Sequence, residues 1–251
     1  MIVLRALGIC VALVVVWQAA VLVIAPPPYL MPGPYAVFVA LVRHPDLWRV
    51  DAVTTFGETV AGLLAGTIIG AGFALAMSFV PVSRRLLLPV LIVSQAIPIF
   101  AIAPLLVLWF GFGVASKVVM ATIAIFFPVT SAFADGLART DPGLLDLARL
   151  YRARRTQVVT VLRIPGALPE FVTGLRLAAV YAPVGALIGE WVGSSSGLGY
   201  AMIFANSRSE TATMFAALLL VVAMSLLLRG IVDLATARLT PWRPDGIERN
   251  E

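Results

Sequence analysis

Residues 193–197 read GSSSG, which has the G-x-S-x-G spacing of a serine nucleophile held on a sharp strand-to-helix turn. Such a serine needs a histidine base within hydrogen-bonding reach. The chain has a single histidine, His44, which lies in a different predicted loop, and the run follows a long apolar stretch typical of a membrane helix. We therefore interpret residues 193–197 as a turn outside the membrane and predict no catalytic serine.

Residue counts also argue against two other chemistries. The only lysine, Lys117, is preceded by GVAS and lacks the glycine-rich pattern of a P-loop, so the chain is not a conventional P-loop ATPase. With one histidine and one cysteine, Cys10, the chain can form neither an intrachain disulfide nor an all-histidine metal cluster. We assign no catalytic residue and no metal ligand, and we expect a protein that is not an enzyme and holds no cofactor of its own.

The composition places these residues in a membrane. The chain is 61% hydrophobic and 12% charged, with a mean hydropathy of +1.00. Several apolar runs approach the roughly 20 residues that a helix needs to cross a bilayer, and lipid cannot satisfy the open backbone groups of other structures. We predict an all-α, multi-pass protein with one transmembrane domain over residues 1–251, in which residues 25–34 and 37–50 form an external loop. The six predicted spans are Leu4–Ile24, Val53–Val80, Leu86–Phe110, Lys117–Leu137, Leu168–Val192 and Ala212–Ala237.

Cationic residues are divided unevenly between the two sides of these spans. Twelve arginines lie on one side, whereas three arginines and Lys117 lie on the other. Because cytoplasmic loops carry the excess of positive charge, both termini and the loop at about residues 138–167 are predicted to be cytoplasmic. A basic loop of this kind can also contact anionic membrane lipid, so the net charge of +5 does not call for nucleic acid as a partner.

A short amphipathic helix is predicted inside that loop, over residues 142–153. Asp141 and Pro142 suit its N-cap and first turn. One apolar stripe follows from the spacing of Leu144, Leu147, Leu150 and Tyr151. The stripe needs a cover, which is either the headgroup region or a partner protein. Arg154 and Arg155 are expected to hold the loop at the headgroups.

The same segment resembles the cytoplasmic-loop motif of permease subunits of bacterial ABC importers. That motif reads Glu-Ala-Ala, three residues, Gly, nine residues, Ile, one residue, Leu-Pro. The matching residues here are Asp146, Leu147, Ala148, Arg152, Leu162, Ile164 and Pro165. Arg152 replaces the glycine at the bend between two short helices, so the bend is expected to be altered. The resemblance implies that Asp146, Leu147, Ala148, Leu150, Tyr151, Arg152 and Pro165 couple the chain to an ATPase.

Two further stretches, residues 95–117 and 174–208, resemble the nitrate/sulfonate/taurine branch of these permeases. Residues 190–208 look most similar to permeases for the hydroxymethylpyrimidine precursor of thiamine, with riboflavin permeases nearby. The resemblance implies a type I importer permease fold and a homodimer in the bacterial inner membrane. It also implies a cytoplasmic ATPase dimer, which holds ATP and magnesium, and an extracytoplasmic binding protein.

Several polar and proline residues are candidates for the translocation pathway. Pro98 and Pro104 are expected to break or kink the third span around a cavity. Glu190 either lines the path or pairs with Lys117 or Arg208, because an acid at a span end is costly unless it is solvated or paired. Trp191 is either a pathway residue or an interfacial anchor. The pathway candidates are Gln95, Pro98, Glu190, Trp191, Ser194 and Asn206.

The sequence therefore predicts the permease subunit of an ABC importer for a pyrimidine thiamine precursor or a related aromatic heterocycle. A sulfonate, nitrate or taurine permease is the alternative within the family. A secondary transporter and a membrane-embedded enzyme are the alternatives outside it, and the chain shows neither a convincing internal repeat nor clustered acids in its spans. The glycines Gly62, Gly66 and Gly70 predict close helix packing in span two.

Overall fold

The computed structural model describes residues 2–240, and every regular element in that part of the chain is helical. Arg243 and Arg249, two of the arginines behind the predicted cytoplasmic C-terminus, lie outside the described residues. Two wider π-helical turns, Leu47–Asp51 and Val158–Arg163, lead directly into α3 and α9. The helices are α1 (Ile2–Ile24), α2 (Pro34–Arg43), α3 (Ala52–Phe79), α4 (Pro81–Ala96), α5 (Ile99–Phe110), α6 (Val114–Ala138), α7 (Pro142–Leu150), α8 (Arg155–Gln157), α9 (Ile164–Gly193), α10 (Leu198–Ser207) and α11 (Thr211–Thr236).

Four helical stretches in the described residues are long and apolar enough to cross a membrane. They are Leu47–Phe79, Val114–Ala138, Arg155–Gly193 and Thr211–Thr236. A bent pair formed by α4 and α5 makes a fifth span if its two helices are counted together. Helix α1, whose 23 residues have about the length of a span, is not among these, so the described residues support four or five of the six predicted spans.

The third predicted span, Leu86–Phe110, is not one helix. It is broken between Ala96 and Ile99, and its two parts meet at 100°. Proline disfavours the helical conformation of the residue before it, and Ile97 accordingly has an extended ψ of 114°. Pro104, by contrast, lies inside α5, which continues past it to Phe110.

The predicted external loop before α3 also contains regular structure. Residues 34–43 form α2, with Pro34 in its first turn, where the missing N–H costs nothing. Val37 and Ala40 of this helix are buried in a cluster that includes Ala216 and Val221 of α11. The sequence predicted only a loop here, and the structure adds a helix because ten residues suffice to bury one face against a span. The external position of the segment stays a prediction.

Glycine and alanine bring α6 into close contact with α3 on one side and with α9 on the other. A Cβ on Gly70 of α3 would lie 2.9 Å from Thr130 Oγ1 of α6. A Cβ on Gly185 of α9 would lie 2.6 Å from the Cα of Ala121, and one on Gly174 would lie 3.0 Å from the carbonyl oxygen of Pro128. The predicted close packing at Gly62, Gly66 and Gly70 is confirmed, since each faces α6 at this range.

The bundle has two chemically distinct ends. At one end, Arg155 of α8 donates a hydrogen bond to the carbonyl oxygen of Ser78, near the last residue of α3. At the other end, the N–H of Gly197 donates to Asp51, just before the first residue of α3. The loop at residues 139–163 and the turn at residues 194–197 therefore lie at opposite ends of the bundle.

We expect Gly185→Ala to lower the thermal unfolding midpoint of the detergent-solubilised protein. The new methyl group would overlap backbone atoms of Ala121 that cannot rotate away, and overpacking of this kind costs about 1–3 kcal/mol. Gly166→Ala on the same helix is the matched control, because no atom lies within 4 Å of its added Cβ. Equal midpoints for the two variants would contradict the packing assignment.

Candidate functional site

Helix α7 lies in the loop at one end of the bundle, and its start is fixed as the sequence predicts. The Asp141 side chain accepts a hydrogen bond from the N–H of Gly143 at 2.6 Å, and Pro142 occupies the first turn. A side-chain oxygen at this position satisfies one of the N–H groups that a helix leaves without a partner. The predicted N-cap is confirmed.

The apolar stripe of α7 is uncovered within the subunit. Leu150 is 81% exposed and Tyr151 77%, while Leu144 and Leu147 are each about half exposed. Leu144, Leu147 and Tyr151 border a groove of about 390 Å³ that Val158 and Val161 close on the far side. Nothing in the described residues covers this groove, so it is available to a partner.

The two remaining α7 candidates have different environments. Asp146 is exposed and forms an ion pair with Arg149 at 2.7 Å, one helical turn further on. Ala148 is the buried residue of the helix. Asp146 is therefore oriented by its own helix but remains accessible to a basic group of a partner.

Arg152 keeps the bend that glycine would form. Its φ is +52°, a left-handed conformation that favours glycine. The N–H of Arg152 bonds to the carbonyl of Arg149 at 3.0 Å, and that of Ala153 bonds to the carbonyl of Ala148 at 2.9 Å. This pair of bonds is the Schellman end of a helix. The expectation of an altered bend was wrong, because the surrounding hydrogen bonds hold arginine in the left-handed conformation.

The loop returns to the bundle through two attachments. Arg155 donates to the carbonyl of Ser78 at 3.1 Å and thereby caps the end of α3, so it does not act as the free headgroup anchor that the sequence suggested. The second attachment is Val159, which is buried in the π-helical turn. Pro165 is the second residue of α9. Pro165 lacks an N–H and suits a first turn, where none is needed.

At the opposite end of the bundle, Glu190 is buried, with 1% of its surface exposed. Its Oε1 accepts a hydrogen bond from the hydroxyl of Thr55 at 2.6 Å, and its Oε2 accepts one from the N–H of Gly199 at 2.6 Å. Thr55 Oγ1 in turn accepts the N–H of Leu198 at 2.8 Å, and Asp51 accepts that of Gly197 at 2.9 Å. The first N–H groups of α10 are thus satisfied by α9 and by the start of α3.

We call Asp51, Thr55 and Glu190 the α10 clamp. Asp51 and Thr55 were not predicted from the sequence, although with Glu58 they stand at i, i+4 and i+7, which is one face of a helix. Glu58 is also buried, and one of its carboxyl oxygens has no hydrogen-bond partner among the described residues. Three polar residues on one face of an apolar span were the signal that could have found the clamp.

Lys117 holds the neighbouring turn. Its buried ammonium donates to the carbonyls of Phe112, Gly113 and Gly193, at 3.0 Å for Gly113 and 2.6 Å for Gly193. The proposed ion pair of Glu190 with Lys117 or Arg208 is not formed in the structure. Arg208 instead lies over the ring of Phe204, 4.5 Å from its centroid.

The other pathway candidates lie in two places. Gln95 and Pro98 are exposed at the break between α4 and α5. Trp191 and Asn206 are exposed on α9 and α10, and Ser194 donates to the carbonyl of Ser196 within the turn. The clamp residue Glu190 belongs to neither exposed set, so its placement favours a positioning role over contact with solute.

The break in the third span lies part-way between the two ends. Helix α5 packs through Ala103, Leu106 and Val107 against Met120 of α6 and Val192 of α9, near the clamp. Helix α4 instead borders Ser78 and Ala138, near the α7 loop. An interrupted span with exposed polar residues at its break is tolerated in a membrane where it lines a cavity or contacts protein.

Comparison with known proteins agrees with this arrangement. Residues 62–241 match the family described as the binding-protein-dependent transport system inner membrane component. The fold is that of the permease in inward-facing structures of the MetNI methionine ABC transporter, with a TM-score of 0.66 over 80% of this chain and 96% of that chain at 19% identity.

Two relatives match almost end to end. A probable ABC transporter permease of Haemophilus influenzae is 48% identical over 92% of this chain and 94% of its own length. The formylaminopyrimidine transport permease ThiX of Halalkalibacterium halodurans is 33% identical over 92% of both chains. Further relatives are named as permeases for riboflavin, aliphatic sulfonates and taurine. The chain belongs to the binding-protein-dependent permeases of ABC importers, in the branch that includes sulfonate, taurine and thiamine-precursor permeases.

Proposed function

We propose that this permease subunit carries a small aromatic heterocycle of the aminopyrimidine type into the cytoplasm. Membership of the family implies a separate ATPase and a binding protein as partners. The observation that carries the choice of solute is the similarity to ThiX, which is named for formylaminopyrimidine transport and matches over 92% of both chains. A solute of this kind suits a path with mixed apolar and hydrogen-bonding walls.

The two ends of the bundle suggest how the subunit works. We infer that α7 and its groove face the cytoplasm and receive the ATPase, while the clamp and α10 face the binding protein. Both termini are then cytoplasmic, and two copies of the chain enclose the path around a two-fold axis. Gln95 and Pro98, at the break between α4 and α5, and Trp191, Ser194 and Asn206 are the proposed pathway residues.

A sulfonate or taurine is the second candidate solute, and one observation favours it. Arg176 of α9 and Arg229 of α11 share one carboxylate, Asp233, at 2.6 and 2.9 Å. All three side chains are partly exposed, so the group has a positive charge in excess that would attract an anion.

Transport assays decide between these solutes. We expect cells that produce the whole importer to take up a labelled aminopyrimidine and to show no saturable uptake of taurine. Arg176→Gln should then leave aminopyrimidine uptake within about twofold of the unaltered importer, because a neutral heterocycle gains little from an isolated cation. The opposite result would be uptake of taurine or an alkanesulfonate that pyrimidines do not inhibit and that Arg176→Gln abolishes. It would favour the second candidate solute over the first.

Leu150→Asp should separate the permease from its ATPase. Each apolar side chain of the α7 stripe contributes at most roughly 1.5–3 kcal/mol to docking when it is buried. Leu150 is the most exposed of them, so replacing it by a charged residue removes much of the docking free energy. Co-purification with the ATPase and solute-stimulated ATP hydrolysis are the measurements. Leu30→Asp, the same substitution at an exposed leucine at the other end of the bundle, should leave co-purification unchanged. Normal co-purification and transport by Leu150→Asp would show that α7 is not the docking helix.

Thr55→Val should loosen α10 without disturbing docking at the other end. Valine keeps the shape of the threonine side chain but lacks its hydroxyl, which donates to Glu190 and accepts from the N–H of Leu198. Each buried group left without a partner destabilises the fold by about 1–3 kcal/mol. We expect a lower unfolding midpoint, reduced uptake and unchanged co-purification with the ATPase. Thr55→Ser preserves both bonds and should behave like the unaltered chain. Indistinguishable uptake and stability for Thr55→Val and Thr55→Ser would show that the clamp is dispensable.

A further inference from the structure

Helices α3 and α6 run in the same direction and pack closely, which fixes which of their residues are level. Glycines of α3 face α6 at matching four-residue steps, and a Cβ on Gly62 would lie 2.3 Å from that of Ala121. Residues four apart on a helix lie on the same face, about one turn from each other. Glu58 precedes Gly62 by four residues and Lys117 precedes Ala121 by four, so both charged side chains start from one level of the bundle.

Helix α9 brings a second acid to this level. A Cβ on Gly189 of α9 would lie 3.0 Å from the Cα of Lys117, and Glu190 is the next residue. The carboxyl group of Glu190 lies within hydrogen-bonding reach of that of Glu58. Glu58 is 3% exposed, and Lys117 and Glu190 are each 1% exposed. We call these three residues the buried charge layer, because it holds two carboxyl groups and one ammonium away from water.

The hydrogen-bond donors around the buried charge layer are directed to Glu190. It accepts one bond from the hydroxyl of Thr55 and one from the N–H of Gly199. The ammonium of Lys117 has three N–H groups, and it gives them to three backbone carbonyl oxygens, so none is left for Glu58. The Oε2 of Glu58 is accordingly a buried oxygen without a partner among the described residues. Buried polar atoms are nearly always hydrogen-bonded, so this oxygen calls for an explanation.

The two acids of the buried charge layer cannot both be ionised without a large cost. Like charges in contact repel each other, and a buried charge needs hydrogen bonds to replace those of water. Glu190 has two such bonds, and the charge of Lys117 balances its own. A proton on Glu58 removes the second negative charge and supplies the donor that two adjacent carboxyl groups need. The layer then has no net charge.

We propose that Glu58 is a proton-binding site and that its proton, donated to Glu190, holds α3 to α9 beside the α10 clamp. Loss of the proton leaves two negative charges together in a buried place and drives the two helices apart. Asp51, on the same face of α3, is a third acid near Glu190, and its charge adds to this repulsion. Glu190 also accepts the N–H of Gly199, so the disturbance reaches α10. Alkaline pH therefore loosens this end of the bundle.

Infrared spectroscopy detects such a proton directly, because a protonated carboxyl group has a C=O stretching band that a carboxylate lacks. The sample is the full-length permease in a maltoside detergent, which contains no carbonyl group. An ordinary glutamate has a pKa of about 4.3 and is ionised at neutral pH. We expect a protonated-carboxyl band in the unaltered permease at neutral pH and its loss in Glu58→Gln. Glu170→Gln, which changes a half-buried acid of α9 towards the other end of the bundle, is the matched control and should keep the band.

The pH dependence of stability tests the same proton by a second route. The folded chain holds a proton that the unfolded chain releases above about pH 4.3, so stability falls as the pH rises. Glutamine has the shape of a protonated glutamate and donates to Glu190 in its place, but it does not titrate. We expect the unfolding midpoint of the unaltered permease to fall more steeply than that of Glu58→Gln from about pH 5 to about pH 8.

Three outcomes would overturn the proposal. The first is the absence of a protonated-carboxyl band from the unaltered permease at neutral pH, which needs no variant and so decides even if Glu58→Gln folds poorly. The second is a band of equal intensity in Glu58→Gln, which would show that another group holds the proton. The third is an equal pH dependence of the two midpoints. Both measurements are made without solute, so their results are independent of the aminopyrimidine assignment.

Discussion

The close approach of α6 to both α3 and α9 is the constraint on which the rest of the structure depends. Lipid tails are as apolar as leucine, so helices in a bilayer gain little by burying apolar surface and must instead pack at short range. Gly70, Gly174 and Gly185 permit that range, since a Cβ at any of them would overlap α6. The three helices form the centre of the bundle, and both of its ends are attached to them.

The two ends use the backbone in different ways. At one end, the α10 clamp provides hydrogen-bond acceptors from α9 and the start of α3 for the first N–H groups of α10, which fixes α10 at that end of the bundle. At the other end, α7 is capped by its own residues and is tied back through Arg155. Its apolar stripe therefore stays outside the core, where a partner can reach it.

The broken third span lies between these ends and contacts both. Helix α5 packs near the clamp, whereas α4 borders the residues that carry the α7 loop. The proposed solute would pass Gln95 and Pro98 at the break.

The sequence by itself determined the membrane character, the helical fold and the start of α7, because hydropathy and the Asp141–Pro142 cap are local signals. The resemblance of its motifs indicated the family. It also located the glycine face of span two. Tertiary structure decided what depends on distant residues: the 100° break at Ile97, the left-handed Arg152 held by its Schellman bonds, and the pairing of Arg155 with Ser78. The role of Glu190 belongs to the same group, since it depends on a threonine 135 residues away in the chain. An acid at a span end needs a partner on energetic grounds, but only the packing of α9 against α3 could show that the partners include a hydroxyl and a backbone N–H.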